Sequence, residues 1–332
     1  MQQLAVVSRQ PWLAPAKARD GLLTSALATT QLQVSALGLG TVELGMPYGL
    51  GKVAPPDDKS CIRLLHHAIA RGINFIDTAA AYGRSEELIG RAFSGGHRPV
   101  IGTKVALRDV DGTPHTGTRL ATAMSASIDR SRRLLGVETL DLVQIHNADA
   151  IVTKDPALAD AMETHLQAGD VRYWGASTYG QQAARAVLDY GAPFRTLQGA
   201  YSVLDRNLEV ELFPLCHHSG VGLILRSVFL QGVLSDRRHA LSEGLAPLRQ
   251  AADAVAGVAE ALGKPLPEVA LRYALFEAGA DVTLVGTANP AELDSNVNAA
   301  LDGPLPSDVV AALRAINVAD ERLLDPSNWP VT

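Results

Sequence analysis

Apolar positions along the chain switch repeatedly between two periods. Short runs rich in Val, Ile and Leu alternate with longer stretches whose apolar residues recur every three to four positions. The runs predict eight strands, at 37–40, 73–77, 100–104, 140–146, 171–175, 196–199, 221–225 and 282–285. The amphipathic stretches predict helices at 57–71, 86–93, 118–135, 156–168, 181–190, 208–218 and 290–299. The first helix shows the signals used. Asp57 and Asp58 open it, Ile62, Leu65 and Ile69 form its apolar stripe, and Gly72 stops it.

Strands this apolar need cover on both faces, as in a parallel sheet. Eight such units, each strand with a helix behind it, close into an α/β (β/α)8 barrel, a TIM barrel. The second reading is a doubly wound open sheet. It expects a G-x-G-x-x-G turn after the first strand, and Gly38-Leu39-Gly40 lacks the third glycine in place. Residues 27–34 fit a short hairpin closing the barrel bottom. A long insert, 227–267, carries a helical stretch at 247–262, and a further helix is predicted at 306–316. These are two extra helices in the C-terminal half. No repeat, linker or low-complexity segment marks a second domain. The expected organisation is an N-terminal extension, 1–21, and one barrel domain, 22–332.

Composition narrows the function. Of 332 residues, 47% are hydrophobic and 19% charged, enough for a sizeable core. No apolar stretch approaches the ~20 residues of a membrane span. The best, 221–230, is interrupted by Arg226. The net charge is −6, and no basic run exceeds Arg132-Arg133 or Arg237-Arg238. This argues against nucleic acid and anionic membranes as partners and leaves a small-molecule substrate. Two cysteines cannot build a disulfide framework, so a reducing cytoplasm is expected. Lys17 and Arg19 before residues 22–28 have the outline of a signal peptide, but the apolar part is too short and too rich in Ser and Thr. Oligomeric state is left open. Lysine is scarce, six against 23 arginines.

Active sites of such barrels lie at the C-terminal strand ends. Strand two ends in Asp77, with Tyr82 in the following loop. Strand three ends in Lys104, and strand four in His146. Strand five ends near Ser177, strand six carries Gln198, and strand seven ends in Arg226 and Ser227. Singly, each has an ordinary explanation: a helix cap, packing, or a hydrogen-bonded core histidine. Lys104 is the hardest to explain that way, because a buried ammonium is costly unless paired. Four such residues on one rim suit carbonyl or alcohol redox chemistry. A phenol titrates near ~10, and a neighbouring ammonium stabilises its phenolate. Asp77 would hold Lys104, and His146 would donate to the substrate oxygen. No Cys or His cluster has metal-ligand spacing, and no G-x-S-x-G elbow is present. Cys61, Cys216 and the pairs His66-His67 and His217-His218 fall on helices, where packing or surface roles are expected.

At these residues the chain resembles the aldo-keto reductase superfamily. The matching segments are Gly38-Leu39-Gly40-Thr41, and Gly72-Ile73-Asn74-Phe75-Ile76-Asp77-Thr78-Ala79 running into Tyr82-Gly83-Arg84-Ser85-Glu86. Further ones are Gly102-Thr103-Lys104, Leu140-Asp141-Leu142-Val143-Gln144-Ile145-His146 and Gly175-Ala176-Ser177. Leu197-Gln198 to Tyr201-Ser202, and Gly286 to Asn296, complete the set. The resemblance implies a barrel that binds a nicotinamide nucleotide without a Rossmann domain. It implies a catalytic tetrad of Asp77, Tyr82, Lys104 and His146, with Tyr82 as acid/base.

The resemblance also places cofactor contacts. Thr41 and Asp77 fall near the nicotinamide ribose, and Ser177 and Gln198 at the carboxamide. Thr178 stands where the family usually has Asn. Arg226 stands where an aromatic side chain usually stacks on the ring. Ser227, Phe229 and Gly232 match the segment that meets the pyrophosphate. Gly286, Thr287, Glu292 and Asn296 fall at the adenosine end. NADP-preferring members place a cation at the position of Gly286 or Glu292, and here neither is basic. A carboxylate accepts from ribose hydroxyls and repels a 2′-phosphate, so NAD is expected, with NADP the alternative. Tyr48, Asn147 and Trp329 are expected to line the substrate pocket. The strand-four and strand-six motifs look most like the sugar-dehydrogenase branch that oxidises aldoses at the anomeric carbon. The alternatives are a reductase of aldehydes or ketones in secondary metabolism, a non-catalytic regulatory barrel like the potassium-channel β-subunits, and a phosphate-binding barrel isomerase.

Overall fold

The computed structural model describes residues 21–109 and 111–329. The proposed extension 1–21 lies outside them, apart from Gly21. A two-stranded antiparallel hairpin, β1 (Thr24–Ala26) and β2 (Gln33–Ser35), precedes the main sheet. Eight parallel strands then close in the order β10-β3-β4-β5-β6-β7-β8-β9. These are β3 (Leu37–Gly40), β4 (Phe75–Asp77), β5 (Val100–Ala106), β6 (Leu140–His146), β7 (Val171–Ser177), β8 (Phe194–Ala200), β9 (Gly222–Arg226) and β10 (Val282–Gly286). The structure is the expected (β/α)8 TIM barrel.

The hairpin sits where the 27–34 pattern pointed, but its strands flank that segment and residues 27–32 form the turn. Leu27, Leu32 and Val34 pack against Phe75, Leu142, Ile224, Val282 and Leu284 inside the barrel. The apolar turn residues therefore plug one end, and the polar chemistry is left to the other. A much larger cluster fills the space between strands and helices, with Leu64, Met124, Trp174, Val187 and Leu293 among its members.

Strand edges differ from the sequence pattern for physical reasons. Residues 73 and 74 belong to the exit of the preceding helix, where Gly72 has φ +90° and the Ile73 amide donates to Ala68 O. β5 and β7 each run two residues further than their apolar runs suggest, through Ala106 and Ser177. At those ends parallel pairing continues, with Ala106 opposite His146 and Ser177 opposite Gln198. The helix Leu266–Glu277 has no counterpart in the predicted pattern, which gave 227–267 to an insert. Leu266, Val269, Ala270, Leu271, Arg272, Tyr273 and Ala274 are all buried, so no polar face betrays a helical period. This helix packs against β10 and the helices Ala246–Ala261 and Pro290–Leu301. The helices Ala246–Ala261 and Ser307–Arg314 are the two extra C-terminal ones.

Candidate active site

Asp77, Lys104 and His146 lie at or near the C-terminal ends of the neighbouring strands β4, β5 and β6. Their rim bounds a cavity of ≈ 580 Å³, within the usual range for small-molecule sites. Tyr82 comes from the loop after β4, and a close backbone approach fixes that loop. A Cβ on Gly45 would lie 1.8 Å from the Tyr82 carbonyl oxygen. Gly83, at φ +54°, would meet Gly45 O at 2.2 Å if it carried one. Only glycine fits either position, a pairing that motif reading did not pick out.

The structure brings the four expected tetrad residues together. Lys104 is buried, and its Nζ donates to Asp77 Oδ2 at 2.5 Å and to Thr78 O at 2.9 Å. The same ammonium lies 5.0 Å from the centre of the Tyr82 ring. Tyr82 and His146 meet edge to face, with ring centres 5.8 Å apart. Burial alone would depress Lys104, but the Asp77 carboxylate and the Tyr82 hydroxyl outweigh it and hold the ammonium above its ordinary value. Burial, reinforced by Lys104 and Arg226, pushes His146 down to about 3, so its imidazole is neutral near pH 7.

The other Asp77 oxygen, Oδ1, accepts from Gln198 Nε2 at 2.7 Å and from Gln144 Nε2 at 3.2 Å. Gln144 is fully buried and was missed by sequence reasoning, although an amide inside an apolar strand was the available signal. Ser177 Oγ donates to Gln198 Oε1 at 3.4 Å. A chain of hydroxyls backs the site: Thr78 Oγ1 to Ser85 Oγ, Ser85 Oγ to Thr41 Oγ1, and Thr41 Oγ1 to Asp77 O.

Thr41, Asp77, Ser177, Gln198, Arg226, Ser227, Phe229, Gly232, Gly286, Glu292 and Asn296 all line the cavity. Two other expected cofactor residues do not. Thr178 is buried behind the wall, where its carbonyl accepts from Arg226. Thr287 is also buried, and its Oγ1 donates to Glu292 Oε2 at 2.6 Å. Tyr48 and Asn147 line the cavity. Trp329 lies away from it, packed on the core with Nε1 donating to Leu323 O at 2.8 Å. Burial pushes the Tyr48 hydroxyl up to about 12.

Three further cavity residues escaped the motifs. Glu43 follows β3 directly, and burial raises its carboxyl against the opposing pull of Arg237. Arg237 was legible only as part of a basic pair. Tyr179, just after β7, stacks under the Arg226 guanidinium, 3.9 Å from ring centre to Cζ.

Residues 36–318 match the Aldo/keto reductase family. The chain belongs to that family. It is 27% identical over 299 residues to the aldo-keto reductase YhdN of Bacillus subtilis (strain 168), covering 82% of this chain and 86% of that one. An uncharacterized oxidoreductase of the same organism, YrpG, is 26% identical over 300 residues, 82% of this chain and 89% of its own. Among solved structures, aldo-keto reductase AKR11C1 from Bacillus halodurans (holo form) superposes with a TM-score of 0.74 at 26% identity, over 89% of this chain and 96% of that one. As an aldo/keto reductase the chain is an oxidoreductase of a family that uses nicotinamide cofactors.

The donor set fits such a cofactor. Ser177 and Gln198 offer amide-matching groups beside the tetrad. In the loop after β9, Ser227, Leu230, Gln231 and Gly232 all have positive φ. Ser227, Gln231 and Gly232 line the cavity there, while the Leu230 and Gly232 N–H groups are bonded to Ser227 O and Phe229 O. Carboxylates at Glu43 and Glu292 mark the far end of the same cavity. Among the described residues no helix is long and apolar enough to cross a membrane.

Proposed function

We propose that this aldo/keto reductase is an NAD-linked dehydrogenase that oxidises a hydroxyl of a sugar or related alcohol to a carbonyl, including at an anomeric carbon. The observation that carries this is the buried Lys104 ammonium, held 2.5 Å from Asp77 and over the Tyr82 ring. A bound nicotinamide supplies the hydride acceptor, or the hydride donor in the reverse direction. Tyr82 takes the proton from the substrate hydroxyl, or returns it to the carbonyl oxygen. Lys104 stabilises the phenolate that makes the first possible. Asp77 keeps Lys104 charged and aimed, and its second oxygen is tied to Gln144 and Gln198. His146, neutral over the working range, donates to the substrate oxygen without competing for the proton.

The polar lining of Tyr48, Asn147 and Arg226 suits a substrate with several hydroxyls. Glu292, with one oxygen taken by Thr287, and Glu43 support NAD over NADP, since both repel a 2′-phosphate. The second reading is an NADPH-linked reductase of aldehydes or ketones. Arg237, a cation at the same end as Glu43, favours it. We also infer a single barrel domain over 22–332.

Titration with NADH and NADPH, followed by a screen of sugars, alcohols and aldehydes in both directions, separates the readings. The expected result is tighter NADH binding and NAD-dependent oxidation abolished in Tyr82→Phe. Tighter NADPH binding favours the second reading. Absence of binding to any nicotinamide nucleotide overturns both.

A further inference from the structure

The charges around the reacting centre do not cancel. Asp77 and Lys104 form a pair, and His146 is neutral. Arg226 adds a positive charge that no carboxylate meets within ion-pair distance among the described residues. Its guanidinium is fixed rather than loose. Tyr179 stacks on one side, Nη2 donates to Thr178 O at 2.9 Å, and Nη1 donates to Ser227 Oγ at 3.1 Å. These partners are an aromatic face, a carbonyl and a hydroxyl, so they orient the charge without neutralising it. The titratable groups around Arg226 are Tyr179, stacked on it, and His146, Tyr48 and the half-buried Asp205, which feel its field. Burial pushes Asp205 up to about 6, and its carboxylate forms no ion pair with Arg226.

The location decides what this charge acts on. Arg226, Ser177, Gln198, Tyr82 and His146 line one cavity. A substrate carbon that loses hydride must lie within reach of Tyr82 and His146, and the hydride acceptor must lie against that carbon. Both therefore sit in the field of Arg226. The oxidised nicotinamide ring is a cation, and the reduced ring is neutral. A fixed cation penalises the first and leaves the second almost untouched.

We propose that Arg226, clamped by Tyr179, biases the site toward the reduced cofactor, binding NADH selectively over NAD+. This rests on the cofactor reading above and deepens it. Oxidation moves one hydride, a hydrogen nucleus with two electrons, from the substrate carbon to the ring, and one proton from the substrate hydroxyl to Tyr82. The ring thereby loses its positive charge next to Arg226. Tyr82 gives up its negative charge in the same step, so the field of Arg226 is expressed in nucleotide affinity, NADH over NAD+. Tyr179 is the positioning residue in this device.

The test measures dissociation constants for NAD+ and NADH by fluorescence titration, without turnover, in the wild type, Arg226→Lys, Arg226→Gln and Arg226→Tyr. The informative quantity is the ratio of the two constants, from which general damage to the pocket cancels. A charge within about 8 Å in a protein site changes such a ratio by about tenfold. The expected result is a ratio of NAD+ to NADH dissociation constants that falls by about tenfold in Arg226→Gln and Arg226→Tyr. Arg226→Lys should keep it. Tyr179→Leu should lower it partway, because the guanidinium loses its support. An unchanged ratio in the two neutral variants overturns the proposal while leaving the cofactor reading intact. A wild type that binds neither form overturns the cofactor reading itself, and this proposal with it.

Discussion

Gln198 Nε2 donates to Asp77 Oδ1 at 2.7 Å, which ties a side chain on the cofactor side of the cavity to the carboxylate that holds Lys104. The cofactor contact proposed for Gln198 and the Asp77–Lys104 pair are thus mechanically joined through one amide. Gln198→Met removes a donor from a buried carboxylate and strands Gln144 Oε1, which accepted from the same amide at 3.2 Å. The cost in stability is about 1–3 kcal/mol, read by urea unfolding. Cofactor KM and kcat should worsen together, whereas a residue that merely contacts the cofactor would move KM alone.

Lys104 is buried at 1% exposure with its charge paired to Asp77, and its replacement separates folding from catalysis. Lys104→Met leaves Asp77 as a buried carboxylate without its cation. The expected loss is about 3–5 kcal/mol of stability and about 10²–10⁴-fold in kcat. The double variant Asp77→Asn/Lys104→Met removes both charges and should regain much of the stability with none of the activity. If the double variant is as unstable as the single one, the pair is not the source of the loss.

Much of this was legible in the residues, and the exceptions share a cause. Asp77, Lys104 and His146 were readable because each is polar at or near the end of an apolar strand, and strand ends meet at a common rim, with Tyr82 in the loop that follows Asp77. Gln144 sits at an inward position of β6, where only three-dimensional closure shows that it faces Asp77. The helix Leu266–Glu277 was invisible because burial on most sides erases the polar stripe that periodicity needs. Glu43, Tyr179 and Arg237 lie in the short helical turns and helix entry that follow β3, β7 and β9, whose paths no repeat predicts. Trp329 was expected at the pocket on the strength of its position in the tail, yet the indole finds a partner at Leu323 and packs inward.

Two half-buried groups give opposite pH dependences of stability. His146 drops to about 3 when folded, from 6.5. Below pH 6.5 the unfolded chain therefore binds a proton that the folded one refuses. The stability contribution is full above 6.5 and is lost as pH falls toward 3. Asp205 rises from 3.8 to about 6, so the folded state holds the extra proton, and its contribution is lost as pH rises through that window. Between pH 4 and 6 the two slopes oppose each other. In Asp205→Asn, urea midpoints should therefore fall more steeply on acidification than in the wild type. In His146→Gln they should fall less steeply.

The carboxylates at the far end of the cavity give the last prediction. Thr287 Oγ1 donates to Glu292 Oε2 at 2.6 Å, which fixes the carboxylate at the start of its helix, beside the positive end of the dipole. Glu292→Arg replaces a repelling charge with an attracting one. The ratio of NADPH to NADH affinity should rise by about 10²-fold, two unit charges being changed at once. Thr287→Val leaves the charge in place but releases its hold, so the ratio should rise only a few-fold. Glu43 supplies a second negative charge to the same end. Adding Glu43→Gln to Glu292→Arg should therefore raise the ratio again, because Arg237 then loses its neighbouring carboxylate and becomes available to a phosphate. Titrations of the four proteins with both reduced nucleotides measure this. If Glu292→Arg leaves the ratio at its wild-type value, the carboxylate is a solvated helix residue with no part in choosing the nucleotide.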